Sequence, residues 1–314
     1  MKKHRMRLVG GKGEGEGVRI SSDVLVQLLA GLKDGAQKAL RLRVEGHSVR
    51  KGPKPGWLEA TGAFDVTGLT PGSTVLDLEA PTLGELLPEA FDTEDQDTLF
   101  EPDSEISRGA TSLDVFADTL RAAKSGDPDA TFADRALLDA CYSFSQLAEG
   151  YEAIEFGSAG EVVVALEPSD VNVLRDLVES TPEPQAVRVT GRLDTISATR
   201  PQAVFVLADG TRARGLLQDH SPELLRSLFG KPVLLSGIAS FRPSGKICRV
   251  EVEFIRAAEE ADEALWARTP RPARSTPLFE AVSQDSESGV SAFFGTWPGE
   301  ESDEELLDAL KQLG

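Results

Sequence analysis

The spacing of the hydrophobic positions changes along the chain, and each spacing predicts a different kind of element. Apolar side chains in residues 25–32 recur at the spacing of one helical face, and Ser22 and Gly35 are residue types that begin and end helices. Residues 18–20 and 39–44 alternate apolar with basic side chains, which is typical of half-buried strands. The chain is therefore predicted to begin with a short strand, a helix and a second strand.

Further along, the pattern predicts a hairpin followed by helices. Two alternating runs, 58–66 and 74–78, flank a turn-rich stretch and predict an antiparallel hairpin. The spacing then becomes helical at 113–120 and 132–147. A strand and a helix are predicted between 162 and 179. Together these elements predict an α+β domain.

A different pattern, made of short alternating runs, begins near residue 186. Asp209-Gly210 is one of the strongest short hairpin signals, and it joins the second and third runs. Five strands with one helix between the third and fourth have the element order of an OB-fold barrel. The predicted barrel strands are 187–193, 204–207, 211–217, 233–239 and 247–255, with the helix at 222–229.

The predicted fold class is α+β, with a small five-stranded OB-like β-barrel after the first domain and a largely disordered acidic tail that ends in a short helix. Glycine-rich, proline-rich and highly charged segments mark the connections, because they bury too little apolar surface to repay the entropy of ordering. The predicted organisation is a flexible basic and glycine-rich lead at 1–17, the α+β domain at 18–182, the barrel at 183–257, a helix and proline-rich linker at 258–278 and the tail at 279–314.

The chain is strongly acidic, with 33 Lys+Arg against 52 Asp+Glu in 314 residues and a net charge of −19. Duplex DNA and anionic membranes attract clustered positive charge, so this balance argues against either as the main target. No stretch approaches the ~18 consecutive apolar residues of a membrane span, and no apolar run follows the basic first residues as it does in a signal peptide. We therefore expect a soluble, cytoplasmic protein without a membrane partner.

The usual catalytic and metal-binding patterns are missing from the sequence. Cys141 and Cys248 lie far apart, and the three histidines have no metal-ligand spacing. The glycine-rich residues 10–15 contain no GK[ST], and the chain has no GxSxG. We expect no catalytic residue, no metal ion and no cofactor, and so no enzyme. The acidic residues 89–105 are predicted to form a solvated loop, and a metal-dependent enzyme that uses their carboxylates is the alternative.

An OB-like barrel raises a second alternative, nucleic-acid binding, because such barrels stack bases on aromatic rings beside basic side chains. Phe205 and Phe241 are candidate platforms, although both also suit inward positions that would fill the barrel. Arg242 and Lys246 add positive charge nearby. The candidate nucleic-acid-binding residues are Arg188, Arg192, Arg212, Arg214 and Arg249.

The tail combines acidic charge with a short aromatic cluster. Residues 279–314 contain nine acids and a single basic residue, Lys311. Phe293, Phe294 and Trp297 place three aromatic rings within five positions. Exposed aromatic side chains are frequent anchors at protein interfaces, so the cluster predicts a partner-binding segment.

A short amphipathic helix is predicted directly after this cluster. Ser302 and Glu305 have the spacing of a capping box, and leucines follow at helical spacing. Isolated helices shorter than roughly 12 to 15 residues are marginal in water, so this helix would gain most of its stability by docking. Its apolar stripe consists of Leu306, Leu307, Leu310 and Leu313.

Residues 294–307, with the sequence FGTWPGEESDEELL, resemble the C-terminal toxin-binding segment of VapB-type antitoxins. The aromatic-Gly-x-Trp-Pro-Gly run ahead of the acidic helix carries this resemblance. In that family the segment wraps a PIN-domain ribonuclease, its aromatic rings fill a hydrophobic groove, and its polar residues obstruct a metal-dependent active site. The resemblance implies that Phe293, Phe294 and Trp297 are anchors. It implies helix contacts by Leu306, Leu307 and Leu310.

The expected function is therefore a protein-interaction module that binds and neutralises a PIN-type ribonuclease toxin. The chain differs from ordinary antitoxins of this kind because a long sequence precedes the tail, without a ribbon-helix-helix or AbrB-like start. Regulation of its own operon is thus not implied. The tail also lacks the arginine that many such antitoxins place near the toxin's carboxylates. The alternative is that Trp297 and the leucines fold back onto the chain's own domains.

Overall fold

The computed structural model describes residues 1–10, 20–50, 52–70, 74–87, 106–158, 160–196, 202–217 and 220–268. The chain divides into two units, Met1–Arg274 and Ser275–Gly314, and every described residue belongs to the first. This unit contains an antiparallel sheet with helices and a closed barrel. The predicted mixed α+β class with a barrel is thus confirmed.

The sheet has five antiparallel strands in the spatial order β2-β3-β1-β4-β5. A hairpin is present as β2 and β3, with a bulge between Val66 and Gly68. Its second strand was correctly predicted, but the first was predicted at 58–66, where residues 58–61 are helical and only 65 and 66 belong to β2. The first strand of the chain lies at the centre of the sheet. The strands are β1 (Lys2–Val9), β2 (Asp65–Thr70), β3 (Thr74–Ala80), β4 (Ala153–Ser158) and β5 (Glu161–Leu166).

The prediction of a flexible lead was wrong for residues 2–9, which form β1. Met6 and Leu8 are buried in the core, and basic residues alternate with them on the opposite face. These basic residues form cross-strand ion pairs: Lys3 with Glu79 (3.7 Å), Arg5 with Asp77 (3.0 Å) and Arg7 with Glu155 (3.7 Å). The basic residues that suggested a solvated leader are therefore paired with acidic residues of the two flanking strands, β3 and β4. Residues 11–17 lie outside the described part of the chain.

The helix α1 (Ser22–Glu45) is longer than predicted, and the strand predicted at 39–44 is its second half. Ser21 caps its start, and the helix ends at Gly46, whose φ of 81° is the left-handed conformation that favours glycine. Gly35 does not end the helix. A Cβ at Gly35 would stand 2.2 Å from the ring of Phe116, so this glycine permits close packing instead. Of the strand predicted at 18–20, only Ile20 is described, and it is not in a strand.

The remaining helices of this half cover one face of the sheet. Helices were predicted at 113–120, 132–147 and 168–179, and the structure has helices in all three regions. Their apolar faces and that of α1 enclose one core with the buried side chains of the strands. The helices are α2 (Gly56–Thr61), α3 (Leu83–Leu86), α4 (Ser112–Lys124), α5 (Arg135–Ser145) and α6 (Pro168–Ser180).

The second half forms a closed barrel in the order β10-β8-β7-β6-β9, with β10 parallel to β8 and the other pairs antiparallel. A short helix, α7 (Pro222–Leu228), lies between the third and fourth barrel strands. This mixed five-stranded barrel is compatible with an OB-like fold. The strands are β6 (Gln185–Ile196), β7 (Gln202–Leu207), β8 (Arg212–Leu216), β9 (Pro232–Phe241) and β10 (Ile247–Ala257).

Phe205 and Phe241 fill the barrel interior and are at most 1% exposed, so neither is a platform for bases. A Cβ at Gly215 would stand 2.2 Å from the ring of Phe205, so the interior has no spare room beside it. The helix α8 (Glu260–Trp266) packs outside the barrel against β6. No helix among the described residues is long and apolar enough to cross a membrane.

Candidate functional site

The predicted partner-binding residues all lie beyond residue 268, outside the described part of the chain. The acidic stretch predicted as a solvated loop also falls on undescribed residues, 88–105. The candidate sites with geometry are therefore those of the barrel and of its junction with the helices. The undescribed partner-binding residues are Phe293, Phe294, Trp297, Leu306, Leu307 and Leu310.

Three of the five predicted nucleic-acid-binding arginines lie together on the outer face of β6, β7 and β8. Arg192 and Arg212 stand on either side of Val206 in one cross-strand row, and Arg214 pairs with Val204 in the next. All three arginines are exposed, whereas the two valines are half-buried. We call this surface the β6–β7–β8 face. It presents guanidinium groups around a narrow apolar strip.

One carboxylate lies within the positive charge of this face. Asp194 forms ion pairs with Arg212 at 3.1 Å and with Arg192 at 3.6 Å. Its side chain is 28% exposed, so water screens these pairs in part. The pairs orient the two guanidinium groups without removing them from the surface.

The connection between β9 and β10 adds positive charge beside this face. Arg242 donates hydrogen bonds to the carbonyl oxygens of Asp129 (3.0 Å) and Arg212 (3.4 Å). Lys246 forms an ion pair with the Asp129 carboxylate at 3.0 Å. Hydrogen bonds from the side chains of Ser244 and then Lys246 lower the pKa of Asp129. The connection is thereby fastened to the loop before α5.

Arg188 lies on a different face of the barrel from the other exposed arginines. Its guanidinium carbon is 5.3 Å from the ring centroid of Trp266, a cation–π contact that joins β6 to α8. In the sequence, Trp266 falls after the barrel, and only the packing of α8 reveals this contact. The predicted basic set is therefore divided between two faces.

Arg249 is buried, so its prediction as a nucleic-acid contact is corrected. Its side chain is 8% exposed, and its guanidinium donates to the Gly46 carbonyl, to Asp134 (3.3 Å) and to Ser240 (3.0 Å). Gly46 ends α1 and Asp134 caps α5, so these bonds fasten the barrel to both helices. Burial of Arg249 follows from its position at the barrel end that these helices cover.

Asp134 is the centre of this buried polar junction. Its carboxylate accepts hydrogen bonds from the Ser48 backbone N–H (3.0 Å), the Ser48 hydroxyl (2.5 Å) and the Leu137 N–H (3.1 Å), besides the bond from Arg249. These donors stabilise the ionised carboxylate in an interior position. Ser48 and Asp134 therefore play structural parts here, and no histidine lies in hydrogen-bond contact with Ser48 to activate it.

Two buried histidines are held in the interior of the described structure. His4 bonds the Thr111 hydroxyl through Nε2 (2.9 Å), whereas neither ring nitrogen of His47 has a hydrogen-bond partner. Burial is the largest cause that lowers the pKa of each below the ordinary value of 6.5, and it outweighs the opposing effects of Asp114 on His4 and Glu45 on His47. Both rings are thus neutral at pH 7.

Two kinds of reactive group matter for the chemistry of the described residues: metal-binding clusters and activated thiols. No three His, Cys, Asp or Glu side chains within the described ranges form a group able to hold a metal ion. Burial raises the pKa of both Cys141 and Cys248, which makes them poor nucleophiles. A cavity of about 200 Å³ opens at the junction between the barrel and the helices. Its lining includes Val49, Asp134, Pro184, Ile238, Arg249 and Glu251.

No family model matches the chain, and no curated protein and no solved structure shows a match either.

Proposed function

We propose that the chain is a protein-interaction protein that binds a PIN-type ribonuclease through residues 290–314 and neutralises it as an antitoxin does. The observation that carries this proposal is the aromatic cluster Phe293, Phe294 and Trp297 ahead of an acidic segment whose leucines have helical spacing. These residues belong to the second unit, Ser275–Gly314. Such a segment brings apolar anchors and a folding-on-binding helix to a partner's groove.

Physical reasons support binding by this segment. Large aromatic rings bury much apolar area at a low cost in side-chain entropy, and Trp is enriched among interface hot spots. The net charge of −8 over residues 279–314 steers the segment toward a positively charged surface. The short helix predicted after the cluster is marginal by itself, so contacts of Leu306, Leu307 and Leu310 with a partner would stabilise it.

Trp297→Ala in the full chain tests the proposal. The measurement is inhibition of RNA cleavage by a PIN-domain ribonuclease that co-purifies with the full-length chain, titrated with wild type and variant. We expect the inhibition constant to rise by about 30-fold, the loss of roughly 2 kcal/mol that marks a hot spot. Phe279→Ala, which lies in the tail but outside residues 290–314, is the matched control and should retain full inhibition. Equal inhibition by wild type and Trp297→Ala would overturn the proposal.

A second candidate function is single-stranded nucleic-acid binding, and the β6–β7–β8 face favours it. Arg192 projects from β6, and Arg212 and Arg214 project from β8, on either side of Val204 and Val206 in β7. Positively charged grooves of this kind follow a phosphate backbone. This face has no exposed aromatic ring among its described residues, so binding would be weak and governed by phosphate contacts.

Fluorescence anisotropy with a labelled single-stranded oligonucleotide at low salt tests this second function. The double variant Arg212→Ala/Arg214→Ala should weaken binding and make the salt dependence less steep. Arg226→Ala, an exposed arginine on α7, is the matched control and should change neither quantity. Absence of wild-type binding at tens of micromolar protein would rule the function out.

A further inference from the structure

The outer face of β6, β9 and β10 carries apolar side chains that the barrel interior does not use. One cross-strand row consists of Ala186, Ile238 and Glu251. The next row consists of Arg188, Ser236 and Phe254. Phe254 is 50% exposed, and the small side chain of Ser236 lies between it and Arg188 in their row. We call this surface the β6–β9–β10 face.

The junction cavity continues this face at one end. Ile238 and Glu251 belong both to the first row and to the cavity lining, and Val49 adds an apolar wall that is 54% exposed. Trp266 stands at the other end, in contact with Arg188. The result is a shallow groove along β9, with a pocket at one end and aromatic rings near the other.

A buried hydrogen-bond donor in the cavity lining has no acceptor. The Arg249 Nε–H makes no hydrogen bond, whereas Nη1 and Nη2 donate to Gly46, Asp134 and Ser240, and the side chain is more than nine-tenths buried. Leaving a buried donor unsatisfied costs about 1–3 kcal/mol, so an acceptor at this place is favoured.

The charged side chains along the groove indicate the charge of the ligand that it would bind. The two arginines near α8 are engaged: Arg188 lies over Trp266, and Arg256 forms an ion pair with Asp262 at 2.7 Å. On β10, Glu251 and Glu253 are exposed, and neither forms an ion pair within the described part of the chain. The two carboxylates are therefore not paired with a cation of the described residues and are available to cations of a partner, whereas both arginines already have partners.

We propose that the β6–β9–β10 face binds an extended, positively charged peptide segment of a partner protein. An apolar side chain of the segment occupies the cavity beside Ile238, and a second apolar side chain packs on Phe254. Successive cross-strand rows lie ~7 Å apart, which is the repeat of alternate side chains in an extended chain. Lysine or arginine side chains between these anchors face Glu251 and Glu253. This proposal is independent of the tail.

Fluorescence anisotropy with two fluorescein-labelled hexapeptides tests it on the full chain. One peptide alternates lysine with leucine, and the other alternates glutamate with leucine. We expect the basic peptide to bind and the acidic peptide not to bind. Phe254→Ser should weaken binding of the basic peptide by about tenfold or more, as loss of an aromatic anchor does. Phe229→Ser is the matched control, since Phe229 is 54% exposed but lies outside this face, and it should leave binding unchanged.

Non-specific attraction is controlled separately, because a chain with a net charge of −19 attracts any cation. Glu251→Gln/Glu253→Gln should weaken binding more than Glu161→Gln/Glu223→Gln, which removes the same charge from exposed positions elsewhere. Trp297→Ala should have no effect, which separates this site from the tail. Equal loss in the two glutamate pairs, equal loss in the two phenylalanine variants, or no binding of the basic peptide would overturn the proposal.

Discussion

Arginines at similar strand positions in this protein differ in burial, and their sequence contexts do not reveal the difference. Arg212 and Arg249 both occupy outward positions of barrel strands, yet Arg212 is exposed and Arg249 is buried beneath the ends of α1 and α5. The difference arises from contacts between residues more than one hundred positions apart in sequence, such as that between Arg249 and Asp134. Strand alternation predicts which side of a strand a residue occupies, but it does not predict what covers that side.

Arg249→Ala is expected to reduce the free energy of unfolding by about 3 kcal/mol or more, because it leaves Asp134 as a buried carboxylate without its cation. Chemical denaturation measures this change. Arg212→Ala is the control and should cost less than about 1 kcal/mol, since its pair with Asp194 is partly exposed. Similar losses for the two variants would show that the junction does not hold the barrel to the helices.

Protonation of buried histidines should make the protein less stable in mild acid. His47 has a folded-state pKa below 6.5, so the unfolded chain binds more protons in the pH range between that pKa and 6.5. The stabilisation is fully present above pH 6.5 and is lost as the pH falls through that range. The test compares the Tm of wild type and His47→Gln at pH 7.5 and 5.5. The variant should lose less stability between the two values, and an identical drop in both would contradict the account.

At the scale of elements, the sequence pattern misassigned α1, β1 and α2, whose residues 58–61 were predicted as a strand. Residues 39–44 of α1 alternate apolar and basic side chains, a short run that fits strand spacing as well as one covered helical face. Residues 2–9 also alternate, but the glycines after them suggested a leader. The barrel strands were correctly predicted because the Asp209-Gly210 turn and five successive alternating runs agree with each other.

Close packing of α1 on α4 depends on Gly35. Ala has a higher helix propensity than Gly by about 1 kcal/mol, so Gly35→Ala would stabilise an isolated helix. Here the added Cβ would collide with the buried ring of Phe116, and we expect a net loss of about 1–3 kcal/mol from overpacking. Phe116→Leu removes the ring, so Gly35→Ala should cost less in that background. Equal costs in both backgrounds, measured by denaturation, would contradict this explanation.

At the scale of the whole molecule, the chain divides into a first unit that contains the sheet and the barrel, and a second unit that begins at Ser275. The sequence predicted both the α+β part and the barrel of the first unit, because the spacing of apolar residues differs between the two parts. The junction site and the groove beside it could not be predicted, because they arise only where barrel strands meet the ends of α1 and α5. The central claim is that the aromatic, acidic second unit captures a ribonuclease.

Co-expression with the neighbouring gene product tests that claim most directly. Tagged full-length chain and a chain that ends after Pro277 are purified from such cells, and the co-purifying proteins are identified by mass spectrometry. Circular dichroism confirms that the shortened chain is folded. The account predicts that the ribonuclease is recovered with the full-length chain and is absent with the shortened one. Equal recovery with both chains, or no recovery with either, would contradict it.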